Sequence, residues 1–496
     1  MELRDYQTKA IENLRTALRQ GSKRPVVMAP TGSGKTVIAA NIIRMAREKN
    51  KKVLFVVPAL SLIDQTVARF RQNGIEGIGV IQAQHELTDY RMLVQVCSVQ
   101  TLARRDIPRA DLVIVDECHI MFKLYDKWMA HHDWTDVPFI GLTATPWAKG
   151  MGAKGRWDSL IVGTTTEELI NLGHLSNFRT FAPAHPDLSG VKTLAGDYEV
   201  KGLGDAMDKK NLVADIVTTW LDKGEDRPTI CFAVNRIHAK NIQQQFLEAG
   251  VTAEYMDAYT DMESRADIVK RFANGDVRVI CNVGVLTTGF DADVRCIILA
   301  RPTKSEILFT QMIGRGLRTA IGKDHCLILD HSDTTLRLGF VTDIKHDTLD
   351  DGTAKRASAE KRQVLPKECP KCSYLKPVKV RICPACGFTP EAKACVEVDE
   401  GELYEITRSK KQIKPDAGNV PMARKQQIYS ELILHAQKRG YKNGWAAHAY
   451  RDRFKVWPSP NLVAVPSQTI SPSTESWIIS RNIRMAKAKQ KVGRVA

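Results

Sequence analysis

No stretch of the 496-residue sequence approaches the ~20 consecutive apolar residues that a membrane-spanning helix requires. The N-terminus, MELRDYQTKA, has no apolar core of the secretory kind. A cytoplasmic location with no membrane partner is therefore expected. No convincing short tandem repeat is present. Acidic residues are in deficit, with 56 Asp and Glu against 72 Lys and Arg, for a net charge of +16. Disulfides have little to work with, although there are eleven cysteines. Cys97, Cys231, Cys281 and Cys326 sit singly in apolar runs, where a thiol acts as a small buried hydrophobe. Four others fall in two close pairs and read as metal ligands.

What is present is ordinary globular composition, 43% hydrophobic and 26% charged, in a chain too long for one core. The positive charge is concentrated at one end. From Gly401 to Ala496 there are 18 Lys and Arg against 6 Asp and Glu, a net +12, which leaves +4 for the first 400 residues. Such a tail suits a polyanion, most simply nucleic-acid phosphate, and charge alone suits a solvated tail equally well.

Helical spacing at Leu3, Tyr6, Ala10, Ile11, Leu14 and Leu18 opens the chain. Short apolar runs then alternate with helical stretches: Pro25–Ala29, Val53–Val57, Leu93–Cys97, Leu112–Val115 and Phe139–Leu142. After a less regular, Gly- and Lys-rich interval the alternation resumes at Thr229–Val234, Val277–Val283, Cys296–Ala300 and Cys326–Asp330. This pattern predicts parallel sheets with helices on both faces. The expected organisation is an α/β domain over 1–150, a connector over 151–210 and a second α/β domain over 211–345. A polar linker over 346–366, a cysteine module over 367–390 and a basic, mainly helical or partly disordered region over 391–496 complete the chain.

Residues 29–36 read APTGSGKT, between the apolar run PVVMA and the helical pattern VIAANIIRMAREK. Gly32 and Gly34 allow backbone amides to approach phosphate oxygens with no Cβ in the way. Pro30, Thr31 and Ser33 complete the loop. Lys35 would reach the β- and γ-phosphates of ATP, and the Thr36 hydroxyl would hold Mg²⁺. Ala29 stands where the general pattern has Gly.

Residues 112–119 read LVIVDECH, an apolar run that ends in two carboxylates. That puts Asp116 and Glu117 at the carboxyl end of a buried strand, where open α/β sheets bind ligands. Asp116 would hold Mg²⁺, and Glu117 would orient and deprotonate the attacking water. A carboxylate pair after a strand is often a mere solvated strand end. The upstream phosphate loop gives this one chemical meaning.

DECH resembles the DEAD/DEAH box of superfamily 2 helicases, and the companion segments follow in that family's order. Gln7, with Arg4 in the same LRDYQ segment, matches the glutamine that reads adenine. Thr143-Ala144-Thr145-Pro146 matches the segment that links ATP state to nucleic-acid contact. VVPALSLIDQ, with Pro58, and SVQT, with Thr101, match segments that touch the strand backbone. NVGVLTTGFD (282–291) and QMIGRGLR (311–318) match the last two motifs. The resemblance implies that Thr287 and Thr288 touch backbone phosphate and that Gly289 and Asp291 sit near the nucleotide. It also implies two RecA-like parallel-sheet domains in tandem. Within the superfamily the segments from DECH to CLILD resemble RadD-type DNA-repair ATPases and phage-encoded relatives, which implies a bacterial or phage-infected cell.

In QMIGRGLR, Gln311, Arg315 and Arg318 are spaced i, i+4 and i+7, one face of a predicted helix. Guanidinium groups there could stabilise charge on the transferring phosphoryl group, and the resemblance makes them arginine fingers supplied across a cleft. An exposed arginine face is the blander reading.

Cys369, Cys372, Cys383 and Cys386 form two C-x₂-C knuckles, a set suited to a closed structural Zn²⁺ site; four free thiols are the alternative. The stretch between them carries Lys376, Lys379 and Arg381, so it could touch nucleic acid or a protein. In the tail, Tyr441, Trp445, Tyr450, Phe454 and Trp457 alternate with basic residues. Stacking on single strands is one account of that pattern. A small helical core with basic residues outside is the favoured one. The final RNIRMAKAKQKVGRVA is expected to be flexible.

The expected function is an ATP-driven DNA helicase or translocase in replication, recombination or repair, with DNA ahead of RNA as partner. Single-strand-binding, replication or repair proteins are candidate protein partners. An RNA helicase, the motor subunit of a restriction-type complex, and a zinc-containing DNA-binding adaptor with weak motor activity are the alternatives.

Overall fold

The computed structural model describes residues 3–82, 85–194, 196–286, 292–353, 365–377, 380–389, 421–442, 444–454 and 456–492. Side chains at 210, 211, 214 and 483–492 are outside the description.

The first sheet has seven parallel strands: β1 (Pro25–Met28), β2 (Val53–Val57), β3 (Ile78–Ile81), β4 (Val94–Ser98), β5 (Leu112–Asp116), β6 (Phe139–Thr143) and β7 (Ser159–Val162). Their order is β3-β4-β2-β5-β6-β1-β7. Continuous apolar runs make the inner strands because both faces are covered by helices. Ala10, Ile11 and Leu14 of the helix Asp5–Arg19 pack on one face with Ile38, Ile42 and Ile43 of Lys35–Arg47. Tyr125, Trp128, Phe139 and Trp157 fill the other.

The second sheet has six parallel strands. They are β8 (Asn177–Phe181), β11 (Thr229–Phe232), β12 (Ala253–Met256), β13 (Val279–Asn282), β14 (Cys296–Leu299) and β15 (His325–Asp330), with a small hairpin of β9 (Thr193–Leu194) and β10 (Asp197–Tyr198) between β8 and β11 in the chain. The order is β12-β13-β11-β14-β15-β8. The two parallel α/β layers agree with the expected fold class. The interval read as an irregular connector supplies an edge strand to each sheet, β7 and β8. Both are only half-buried, and Asn-Phe-Arg-Thr-Phe and Ser-Leu-Ile-Val lack the strong apolar signature of an inner strand.

The stretch read as a linker also has structured parts. Asp350 accepts from the Gly150 amide at 2.9 Å and its carbonyl accepts from Gly152 at 2.6 Å. Leu349 packs on the Trp157 cluster of the first domain, and His346 stacks on Trp147 at 4.7 Å.

β16 (Lys367–Glu368) and β17 (Leu375–Lys376) carry the cysteine module, which docks on the second domain. Ala182 donates its amide to the Ser373 carbonyl at 2.9 Å, and Tyr374 meets Phe181 edge-on at 5.3 Å.

The C-terminal unit is helical: Met422–Lys438, Trp445–Phe454 and Pro472–Val492. Tyr450 and Phe454 are buried with Ile428, Leu432 and Ile478, as the core reading expects. Trp457 stays half exposed, with the Arg451 guanidinium 4.4 Å over its ring. The last helix runs into the stretch expected to be flexible.

Candidate nucleotide cleft and cysteine module

The sheet order alone brings the two ATP-site motifs together. β5 and β1 both flank β6, with Asp116 level with Leu142, and Met28 level with Thr143. The end of β5 and the loop after β1 are thus two strand spacings apart, about 10 Å. The carboxyl ends of β5, β6 and β1 therefore carry the acidic pair, Thr143 and the phosphate loop side by side.

The loop needs its glycines. Gly32 and Gly34 have φ of 86° and 84°, the left-handed region that side chains resist. Gly34 caps the helix Lys35–Arg47, whose first amides and positive dipole end face the cleft. A Cβ on Gly34 would fall 2.6 Å from Gln7 Nε2. Behind the loop, Tyr6 Oη and Gln7 Nε2 both donate to the Ser33 carbonyl, at 2.8 and 3.0 Å. Gln7 Oε1 accepts from the Arg4 backbone amide at 3.0 Å. Gln7 is buried, and these bonds make it a brace for the loop. Pro30 closes the turn by accepting from the Ser33 amide.

Lys35 Nζ is 2.8 Å from Glu117 Oε1, an ion pair largely screened from water. Glu117 holds φ of 47°, an uncommon backbone state for a non-glycine residue, and its amide donates to Asp116 Oδ1 at 2.9 Å. Burial, with Glu117 adjacent, pushes the Asp116 carboxyl up. Burial would also raise Glu117, but Lys35, His119 and Arg315 outweigh it and hold that carboxyl below its ordinary value. Two adjacent carboxylates are thus split in acidity, Asp116 upward and Glu117 downward.

His119 was missed by sequence reasoning, although it is the last letter of DECH. Burial pushes it down to about 4, so the ring is neutral. Gln311, from the second domain, donates its amide to Nε2 at 3.1 Å; Nδ1 then carries the proton and donates to Thr143 Oγ1 at 2.8 Å. Thr143 Oγ1 also accepts from the Thr145 amide at 3.0 Å. One chain of hydrogen bonds therefore links His119, the Thr-Ala-Thr segment and the second domain, and Glu117 Oε2 lies 3.4 Å from the His119 ring. Gln311 stands on this chain rather than among the residues that line the cleft.

The cleft between the domains is open to solvent and spans about 1450 Å³, open solvent included. Arg4, Thr31, Gly32, Gly34, Lys35, Thr36, Asp116 and Glu117 line it from the first domain, and Arg315 and Arg318 from the second. Both arginines reach it, but they do not share a helix. The helix Glu306–Gly316 ends before Arg318, because the chain there turns to pair with the strand edge at Leu175. The Leu317 carbonyl accepts from the Ser176 amide at 2.7 Å. Gln65, the last residue of VVPALSLIDQ, also lines the cleft, as do Thr66, Arg69 and His174, which had no motif to mark them.

The expected strand contacts are placed unevenly. Thr101 is half-buried, with its amide 3.2 Å from the Ser98 hydroxyl that caps its helix. Pro58 is buried and its carbonyl accepts from Gln100 Nε2 at 2.7 Å, whereas Leu60, Ser61, Asp64 and Gln100 are the exposed members of those segments. Thr287, Thr288, Gly289 and Asp291 lie outside the described residues.

In the cysteine module the four sulfurs lie within 4.8 Å of one another, with Cys369–Cys386 and Cys372–Cys383 each at 3.7 Å. Tetrahedral Zn–S bonds of about 2.3 Å place sulfurs about 3.8 Å apart, so the donor set fits Zn²⁺. Lys376 is buried, and its ammonium donates to the Arg381 carbonyl at 2.7 Å, which withdraws it from any nucleic-acid face. Lys379 lies outside the described residues. Because the module packs on the second sheet, metal removal should be felt there. Metal analysis should find one zinc per chain, and Cys372→Ser should lose it. The melting temperature of the variant should fall by on the order of 5 °C or more. An unchanged metal content and melting curve would contradict a structural zinc.

Comparisons with known proteins agree with this geometry. The family described as "Type III restriction enzyme, res subunit" matches residues 1–148, and "Helicase conserved C-terminal domain" matches residues 208–320. A 51.5 kDa protein of a Lactococcus phage is 32% identical over 401 residues, 78% of this chain and 84% of its own. A Saccharomyces cerevisiae protein named as an ATP-dependent helicase, IRC3, is 31% identical over 396 residues. That match covers 74% of this chain and 57% of the yeast protein, so the chain spans little more than half of that relative. Among solved structures, a fragment of an HsdR subunit of a type I restriction enzyme from Vibrio vulnificus matches with a TM-score of 0.52. It is 20% identical, covering 70% of this chain and 69% of that one, a likeness of fold alone. With the phosphate loop, the acidic pair and the second-domain arginines facing one cleft, the chain belongs to the superfamily 2 helicases, ATP-hydrolysing motors of the helicase or translocase type.

Proposed function

We propose that this chain couples ATP hydrolysis to movement along, or remodelling of, DNA, in replication, recombination or repair. The observation that carries the reading is the shared cleft, in which Lys35 and Glu117 of one domain face Arg315 and Arg318 of the other. The ATP phosphates would rest on the amides of 32–36 and draw Lys35 away from Glu117. Thr36 and Asp116 would hold Mg²⁺, which supplies charge neutralisation on the β- and γ-oxygens. Glu117, released from Lys35, would take a proton from water as the water oxygen bonds to the γ-phosphorus and the bond to ADP oxygen breaks. Arg315 and Arg318 would stabilise the charge on the transferring group. Hydrolysis would remove the phosphate that both domains grip, and the domains would part. The chain Glu117–His119–Thr143 with Gln311 offers a physical route from that event to a bound strand.

A cytoplasmic location fits this reading; among the described residues no helix is long and apolar enough to cross a membrane. A single-strand-binding or repair protein would be a natural partner. The motor subunit of a restriction-type complex is the second reading, favoured by the family match over 1–148.

The tail tests how DNA is held. Deleting 401–496 should leave the cleft whole, since no described residue that lines it lies there, and should raise the DNA concentration for half-maximal ATPase. Each lost phosphate contact should flatten the slope of log affinity against log salt by ~0.9 on duplex and ~0.7 on single strands. A DNA titration at several salt concentrations checks this. An unchanged slope would mean that the positive charge of the tail does not face DNA.

A further inference from the structure

The cleft has a wall that the motifs mark only in part. The sheet order β5-β6-β1-β7 puts the acidic pair on one flank of the phosphate loop and the chain that follows β7 on the other. A γ-phosphate directed at Glu117 leaves the sugar and base of the nucleotide pointing to the second flank. There stand Arg4, Tyr6 and His174. Arg4 and His174 line the cleft. The Tyr6 and His174 rings are 5.8 Å apart, and Tyr6 Oη accepts from Arg4 Nη1 at 3.2 Å. Gln7, expected to read the base, spends its amide on the Ser33 carbonyl and the Arg4 amide.

We propose that His174 is the stacking surface for the purine base of the nucleotide, with Arg4 on the same wall; this rests on the nucleotide reading of the cleft. His174 is held firmly enough for the task. Its amide donates to the Leu169 carbonyl at 2.8 Å, and that of Ser176 donates to Leu317 at 2.7 Å. The intervening Leu175 pairs with Arg318 and lies 2.9 Å from where a Gly32 Cβ would stand. The residue is thus fixed against both the phosphate loop and the arginine segment, and a half-buried ring is left at the rim. Burial and the neighbouring Arg4 push the His174 imidazole below its ordinary value, which leaves it neutral at pH 7. A neutral ring can stack on a base beside a guanidinium without charge repulsion. The base contact and Arg318 sit on paired segments, so a nucleotide that fills the wall also seats the second-domain arginine.

The test is steady-state ATPase of the full chain as His174→Ala and His174→Phe, with Mg²⁺-tripolyphosphate as a competitor that has phosphates but no base. Removing an aromatic stacking partner should raise the KM for ATP about tenfold. Turnover at saturating ATP should fall by less than KM rises, and inhibition by tripolyphosphate should hold within about twofold. The phenylalanine variant should recover most of the lost affinity. Equal weakening of ATP and tripolyphosphate in His174→Ala would overturn the proposal, because His174 would then merely support the loop through Leu175. A KM for ATP that does not move would overturn it as well. Failure of tripolyphosphate to compete in the unsubstituted protein would instead count against the nucleotide reading of the cleft.

Discussion

Replacing Lys35 with Ala should reduce ATP turnover by at least on the order of 10²–10³-fold, the loss that follows removal of a charged group from a preorganised transition-state site. Two effects combine. The β- and γ-phosphates lose their only lysine among the residues that line the cleft. Glu117 also loses the ammonium at 2.8 Å that holds its carboxyl down, next to an Asp116 that burial already pushes up. DNA affinity, measured by fluorescence anisotropy without nucleotide, should stay within about twofold, because the proposed strand contacts do not include Lys35. A variant that hydrolyses ATP near the unsubstituted rate would refute the phosphate-loop assignment.

Replacing Arg315 or Arg318 with Ala should lower kcat on the order of 10³-fold while nucleotide affinity changes little. Such a residue touches charge that develops only as the γ-phosphoryl group moves. Arg315 is buried and close enough to lower the Glu117 carboxyl, so it faces the reacting end of the cleft. Arg318 projects from the segment paired with Leu175. Single-turnover rates and ATP affinity measured separately distinguish the outcomes. If affinity fell as much as rate, the residue would be an ordinary ligand contact.

The sequence made the first sheet and its candidate chemistry readable because that chemistry restricts residue type. Glycine suits φ near 85° at 32 and 34, and the acidic pair stands where a buried strand ends, at Asp116 and the Glu117 that follows it. Inner strands such as Val53–Val57 are wholly buried and wholly apolar, so periodicity finds them. β7 and β8 are edge strands with exposed positions, and their pairing is decided by neighbours far along the chain. Arg318 was placed on a helix because its spacing allows it. The helix stops at Gly316, where a side chain would run into Cys326 and Ile297. His174 had no local signal at all, since only the fold carries the chain after β7 back to the loop.

The claim that the two-domain cleft is a motor driven by a nucleic-acid strand is tested most directly by one measurement. It is the steady-state ATPase rate of the full chain with single-stranded, double-stranded and forked DNA and with RNA, each at saturation. Closure that depends on the strand predicts stimulation by DNA of ~5–150-fold, the range of ordinary coupling between sites, with RNA weaker. A rate that is the same with every nucleic acid and with none would contradict the account.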